Sequence, residues 1–149
     1  MSHMSVAAKQ IAEVLGGTKV LGRRVTSMRE LEEIVREGMP KSALDTFING
    51  LGSSKRGDFA VQLRNKIVSR ATYNRVDRFN LQVSETTERM ARLYAIALLA
   101  FEDSETATRF MSHSHPELGN RSPFEAALTE IGGREVEEVI ERGLHGLPA

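Results

Sequence analysis

The chain has 149 residues, 40% of them apolar and 27% charged, which is long enough to bury a core and too apolar for wholesale disorder. It has no cysteine, no apolar run near the roughly 18 residues of a membrane span and no basic-then-apolar leader. Disulfides and thiolate metal sites are excluded, and the expectation is a soluble cytoplasmic protein. The net charge of zero hides an asymmetry: residues 1–83 carry 14 Lys/Arg against 8 Asp/Glu, and residues 84–149 carry 6 against 12. A basic half joined to an acidic half suits two kinds of partner. The opening Met-Ser-His-Met looks like a cloning remnant, so His3 carries no weight.

Val6, Ile11, Val14 and Leu15 stand at roughly helical spacing before a Gly16-Gly17 stop, and Thr18 to Thr26, β-branched and glycine-interrupted, reads as an extended link. Ser27 caps the next helix, with Glu30 completing a capping box and Leu31, Ile34 and Val35 on one face, until Gly38 and Pro40 end it. Lys41 to Gly50 continues with Leu44, Phe47 and Ile48, and Gly52-Ser53-Ser54 is a linker. Asp58 to Lys66 is helical again, with Phe59, Leu63 and Ile67 four apart.

The following segment, Ser69 to Phe79, gives Ser69 as a cap and an apolar edge from Val76 with Phe79 or Thr72. It leaves Arg70, Tyr73, Asn74, Arg75 and Arg78 facing outwards. Short helices separated by tight turns match a helix-turn-helix, whose second helix offers Arg and Asn to base edges in the major groove. Residues 55–78 hold 7 basic against 2 acidic residues, which supplies phosphate attraction. A solvated face with ordinary arginines is the competing explanation.

Ser84 is expected to open the long central helix, where Met90, Leu93, Tyr94, Ala97, Leu98 and Phe101 form a full apolar stripe. Ser104 is expected to cap a short helix that buries Ala107, Phe110 and Met111. From His115 to Ala149 the chain places a turn at Gly119, a start signal at Ser122-Pro123-Phe124-Glu125 and an acidic final helix with Val136, Val139 and Ile140 on one side. Gly132-Gly133 implies either a close approach of another backbone or a helix that begins later. Gly143, Gly146 and Pro148 are expected to release a slim tail.

No catalytic grouping emerges. His113-x-His115 with His145 lacks a carboxylate at ligand spacing, so no metal is expected. Ser112 and Ser114 lack a nucleophile turn, and Gly16-Gly17 lacks the lysine-serine pattern of a phosphate loop, so neither an enzyme nor a cofactor is expected.

Phe110-Met111, Pro116-x-Leu118-Gly119-Asn-Arg121-Ser-Pro123, Ala126 to Leu128, Gly132-x-Arg134-x-Val136-Glu137 and Gly146 together resemble the toxin-binding domain of the Xre/MbcA/ParS antitoxin family. Val20-Leu21-Gly22, Leu31 and Gly38-Met39-Pro40 resemble that family's lead-in, and Ser69 to Arg75 sits where its helix-turn-helix reads DNA, so the likeness spans about residues 14–146. The resemblance implies an all-α protein: an N-terminal segment 1–26, an Xre-like helix-turn-helix part 27–83, and a small helical dimerisation and toxin-binding domain 84–149. It implies an antitoxin that neutralises a RES-type NAD-consuming or ADP-ribosylating toxin by blocking its active site, represses its own operon and forms a homodimer through the C-terminal half. Carried over residue by residue, toxin contact falls on Asn120, Arg121, Ser122 and Pro123 in the turn and on Glu141, Leu144, His145, Gly146 and Leu147 in the plug. DNA contact falls on Arg70, Thr72, Tyr73, Asn74, Arg75 and Arg78. Asn74 and Val76 stand where many relatives carry arginine, and His145 where an aromatic is common. The alternative from another class is a helix-turn-helix transcription regulator without a toxin.

Overall fold

The computed structural model describes residues 6–51 and 57–146, with side chains for all of these but 57–58 and 144–146. The expected linker 52–54 and the plug residue Leu147 lie outside the described residues, as does His3. The architecture is all-α, and among the described residues there is no strand. The helices are α1 (Ala8–Val14), α2 (Gly17–Leu21), α3 (Met28–Glu37), α4 (Lys41–Leu51), α5 (Gly57–Ile67), α6 (Arg70–Arg75), α7 (Leu81–Phe101), α8 (Ser104–Ser112), α9 (Pro123–Ala126) and α10 (Glu130–Gly146), with a 3₁₀ turn at Pro116–Leu118.

α7 is the axis. Met90, Leu93 and Ala97 of its apolar stripe are fully buried and Tyr94 nearly so, with α1, α3, α8 and α10 packed around them. Leu98 and Phe101 are only partly buried, Leu98 in a groove with Val14 and Phe47 and Phe101 against the Phe110 ring (5.2 Å). The interior is one continuous cluster that takes Leu31 and Ile34 from α3, Leu44 and Phe47 from α4, Leu63 from α5 and Val136 and Ile140 from α10. Phe124 sits at its centre, with ring contacts to Phe47 (5.8 Å), Phe59 (6.0 Å) and Tyr94 (6.2 Å). Aromatic pairs at these separations add to the stability of plain area burial.

The helix starts expected at Ser122 and Ser27 form, each by a local hydrogen bond. Ser122 Oγ accepts from Glu125 N (3.1 Å) while Glu125 Oε1 accepts from Ser122 N (3.1 Å), a complete capping box. At α3 Ser27 Oγ accepts from Glu30 N (3.2 Å), but the Glu30 carboxylate reaches one residue further back, to Thr26 N (2.8 Å).

Several boundaries differ from expectation. Thr18 to Leu21 is the greater part of α2 and not an extended link: Gly16 and Gly17 take φ of 107° and 69°, turn the chain tightly, and drive Leu21 into the core. α7 opens at Leu81 with Asn80 as its cap, and Ser84 lies buried inside the first turns. The Ser84 hydroxyl accepts from Met39 N (2.8 Å) and donates to Phe79 O (3.2 Å), joining the α3–α4 link to the α6–α7 link. Two backbone bonds run beside it, Lys41 N to Asp77 O (2.8 Å) and Phe79 N to Met39 O (3.0 Å). Gly38 is required there: its φ is 110°, and a Cβ would meet Phe79 O at 2.9 Å. α8 is capped by Asp103, whose carboxylate accepts from Thr106 N (3.0 Å), and Ser104 is its first residue.

At Gly132-Gly133 the close-approach alternative holds. α10 begins before both glycines, and a Cβ on Gly132 would stand 1.8 Å from Ala126 O. Nor does Gly143 release a tail, since α10 runs on to Gly146.

Candidate partner-binding sites

The C-terminal site is built around a closed turn. His115 N donates to Arg121 O (3.0 Å) and Asn120 N to His115 O (3.0 Å), with Gly119 and Asn120 both left-handed, at φ of 65° and 64°. A left-handed non-glycine residue is uncommon, though asparagine tolerates it better than most. Leu118 is buried beneath the turn, so the reversal is anchored and not a free tip.

Arg121 closes the turn with its own side chain, Nε donating to Leu118 O (2.8 Å), and braces α10 through Nη2 to Glu135 Oε1 (3.1 Å). A second ion pair, Arg142 to Glu117 (2.6 Å), ties the 3₁₀ turn to the end of α10. Each pair is about half exposed and contributes little alone, but together they bracket the turn against two points on one helix.

Of the residues expected to meet a toxin, Asn120 and Arg121 are exposed on this turn. Ser122 is 3% exposed and Pro123 is buried; both shape the turn and start α9. Glu141 is half-buried on α10, and Leu144, His145 and Gly146 lie on its last helical turn. The turn and the end of α10 are thus brought together, bridged by Glu117 and Arg142.

Arg89 is the buried support that the sequence did not suggest. Nε donates to Ala127 O (2.7 Å) and Nη2 to Leu128 O (3.0 Å), holding the α9–α10 link from below. Burial pushes its pKa down from the ordinary arginine value. Gly133 leaves room for its stem, a Cβ there standing 3.0 Å from Arg89 Cδ. The only signal in the chain is a charged residue beside Met90 in an apolar stripe.

The N-terminal site is α5 and α6, joined by Val68 and Ser69, with Ser69 Oγ accepting from Thr72 N (3.2 Å). Arg70, Asn74 and Arg75 are exposed, and their side chains make no hydrogen bond or ion pair among the described residues. Tyr73 does not face outwards as expected. Its hydroxyl donates to Asp45, its ring lies under Arg64 (4.3 Å to the guanidinium carbon), and its carbonyl accepts from Lys41 Nζ (3.0 Å). The Asp45 carboxylate holds the Tyr73 phenol above its ordinary pKa. Tyr73 is therefore the clasp of α6 on α4 and α5. Thr72 is half-buried, and Arg78 donates to Gly38 O (2.9 Å), tying down the strand-like pairing after α6.

Elsewhere, no group of three His, Asp or Glu side chains among the described residues is placed to hold a metal ion, and no described helix is long and apolar enough to cross a membrane. His113 Nδ1 lies 2.7 Å from Arg109 O, and His115 Nδ1 accepts from Glu117 N (3.3 Å).

The geometry is an all-α fold with two separate polar surfaces, a basic one at α6 and a braced turn beside α10. Residues 95–146, about a third of the chain and running from mid-α7 to the end of α10, match the antitoxin Xre/MbcA/ParS C-terminal toxin-binding domain. That segment is similar to this family's domain, and the match implies an antitoxin role with a toxin partner. The likeness seen in the sequence over residues 14–146 is thereby established for its C-terminal part. No curated protein matches the chain.

Proposed function

We propose that the protein is a non-enzymatic, cytoplasmic antitoxin that neutralises a RES-type, NAD-consuming or ADP-ribosylating toxin, and that it represses its own operon. In this reading residues 84–149 dimerise and meet the toxin, while residues 27–83 meet operator DNA. The observation that carries it is the coincidence of the toxin-binding family match with the turn at 115–121 braced on α10 by Arg121–Glu135 and Arg142–Glu117. A surface held this rigidly meets a partner with little ordering cost. Asn120 and Arg121 would make contact, Ser122 and Pro123 would set their position, and the end of α10 from Glu141 through Leu144, His145 and Gly146 to Leu147 would occupy the toxin's active site. The acidic character of α10 suits a cleft built for an anionic dinucleotide.

Arg70, Asn74 and Arg75 favour DNA as the second partner, being basic or amide groups on one short helix whose side chains are unengaged among the described residues. Thr72 and Arg78 would support that surface and Tyr73 would fix its position.

A pull-down from the native host tests the reading, with the full chain and a version ending at Glu141. A RES-like protein that co-purifies with the full chain and is silent in NAD consumption supports it. Retention of that protein by the shortened form, now with NAD turnover, assigns the plug to residues after Glu141. Binding of promoter DNA by both forms without capture of any toxin would leave only a transcription regulator.

A further inference from the structure

Helix α10 rests on the core through Gly132, Gly133, Val136, Val139 and Ile140, all buried. At about 100° per residue, its opposite side gathers Ile131, Glu135, Glu138 and Arg142 within about 60° of arc. Ile131 is the apolar member of that stripe, and at 74% it is the most exposed large apolar residue among those described. Nothing local favours isoleucine there. A β-branched side chain loses freedom in a helix, and Glu130 and Arg134 beside it already form their own ion pair (2.6 Å).

Single apolar residues on a surface are ordinary; the place of Ile131 is not. Its backbone is fixed from below: Thr129 Oγ1 accepts from Gly132 N (3.0 Å), Gly132 lies against Ala126 O, and Gly133 passes over the stem of Arg89. A side chain on so rigid a base meets a partner with little ordering cost. Glu135, one helical turn on and about 6 Å along the axis, holds Arg121 of the closed turn at 3.1 Å. A standard interface covers about 800 Å² of each partner, a disc about 16 Å in radius. Centred on the Arg121–Glu135 pair, that disc holds Ile131 in its inner half, where the side chains that dominate binding concentrate. The closed turn itself offers polar groups, Asn120 and Arg121, and its leucine is buried. The whole face also falls within residues 95–146, the part of the chain that matches the toxin-binding domain. Leu99, the other exposed large apolar residue of that part, borders instead a groove with Val14 of α1 and Phe47 of α4.

We propose that Ile131 is the apolar anchor of the toxin-binding surface, seated in an apolar pocket of the toxin that has basic groups at its rim. The basic rim follows from charge: Glu130 and Glu135 flank Ile131, and Glu138 is exposed and makes no ion pair among the described residues. This deepens the antitoxin reading and rests on it, adding a contact that neither the closed turn nor the end of α10 supplies.

The test uses the full chain against the RES-like protein that wild type captures and silences, and reads the antitoxin concentration that halves its NAD turnover. Ile131→Ala is expected to raise that concentration about tenfold. Ile131→Asn is expected to raise it about a hundredfold, because an amide then enters an apolar pocket without a partner. Met28→Asn alters a residue 52% exposed on α3, outside the matched segment, and is expected to leave the concentration unchanged. All three variants should unfold near the wild-type urea midpoint, since each position is more than half exposed.

Silencing by Ile131→Asn at the wild-type concentration overturns the anchor, and so does an equal loss in Met28→Asn. Sedimentation covers the other occupant, a second copy of the chain. A wild-type dimer that Ile131→Asn converts to monomer assigns the residue to self-association and overturns its role as a toxin anchor. Wild type that silences no NAD-consuming protein removes the antitoxin reading itself, and the anchor with it.

Discussion

Gly132→Ala is the sharpest perturbation available in the family-matched segment. A methyl at that position stands 1.8 Å from Ala126 O and 2.7 Å from Ala126 C, both backbone atoms. Non-bonded heavy atoms settle at about 3.5 Å or more, so α9 and the start of α10 would have to separate by roughly 1.5 Å. Nothing nearby can yield: Phe124, Ala126 and Ala127 are at most 1% exposed, and Arg89 grips the next carbonyl at 2.7 Å. Overpacking of this kind costs about 1–3 kcal/mol, and the gain of about 1 kcal/mol from replacing a helical glycine opposes it. A 1.8 Å contact with backbone places the cost at the upper end of that range, so the net expectation is a loss of about 2 kcal/mol, and about 2–4 °C in Tm for each kcal/mol in a chain of this size. Gly143→Ala is the counterpart, because a methyl there meets nothing within 4 Å. It should stabilise by about 0.5–1 kcal/mol. Urea unfolding followed by circular dichroism, compared at equal m-value, measures both. A Gly132→Ala protein as stable as wild type would refute the close-approach explanation, and so would equal signs for the two variants.

Arg89→Met should cost about 1–3 kcal/mol in the same assay, because the Ala127 and Leu128 carbonyls lose their donors in a buried site; no change would mean that water reaches them freely. Ser84→Ala strands the Met39 N–H and should cost about 1–3 kcal/mol, with faster exchange of the Met39 amide as its specific mark. Lys66 and the Ser122 N–H hold the Glu125 carboxyl below the ordinary glutamate range, as Thr26 does for Glu30 and Thr106 for Asp103. A depressed carboxyl pKa contributes stability that is complete above the unfolded value and is lost as pH falls through the folded one. Urea midpoints should therefore hold steady from pH 7 to about 5 and decline below about 4, and Glu125→Gln should flatten part of that decline. Parallel profiles for the two proteins would remove Glu125 from the acid response.

What could be read from the chain was what depends on near neighbours. Ser122 and Glu125 cap α9 through bonds three residues apart, so their spacing suffices to identify them. The stripe on α7 was legible for the same reason, its period being a property of the helix itself. Failures came where distant contacts decide. Leu21 is pulled into the core strongly enough to make a helix of a segment whose β-branched residues favour extension. Ser84 looks like a cap by type, but its hydroxyl serves a backbone amide 45 residues away. Tyr73 looks like a DNA-reading residue within its own helix, and only the arrival of Asp45, Arg64 and Lys41 from α4 and α5 makes it a clasp. Arg89 had only a charge beside Met90 to mark it and the Lys66–Glu125 pair had no local signature, since both link segments 38 or more residues apart.

The same long-range contacts bear on how the two surfaces can be studied. The family match begins at residue 95, in the middle of α7, yet the packing does not divide there. Phe124 is the second residue of the helix that follows the braced turn, and two of its three ring partners, Phe47 and Phe59, come from α4 and α5. A fragment limited to the C-terminal half would leave Phe124 and Tyr94 without those partners and the Arg89-supported link facing solvent. Removing an aromatic neighbour of this size from a core costs about 3–5 kcal/mol, a large part of the total stability of a domain. The turn's own braces lie in the C-terminal half, but the core on which α9 sits is completed by Phe47 and Phe59 of the head. Partner-binding measurements on the turn therefore report on the intact site only when α4 and α5 are present, and weak binding by a fragment would reflect a collapsed scaffold as readily as a missing contact.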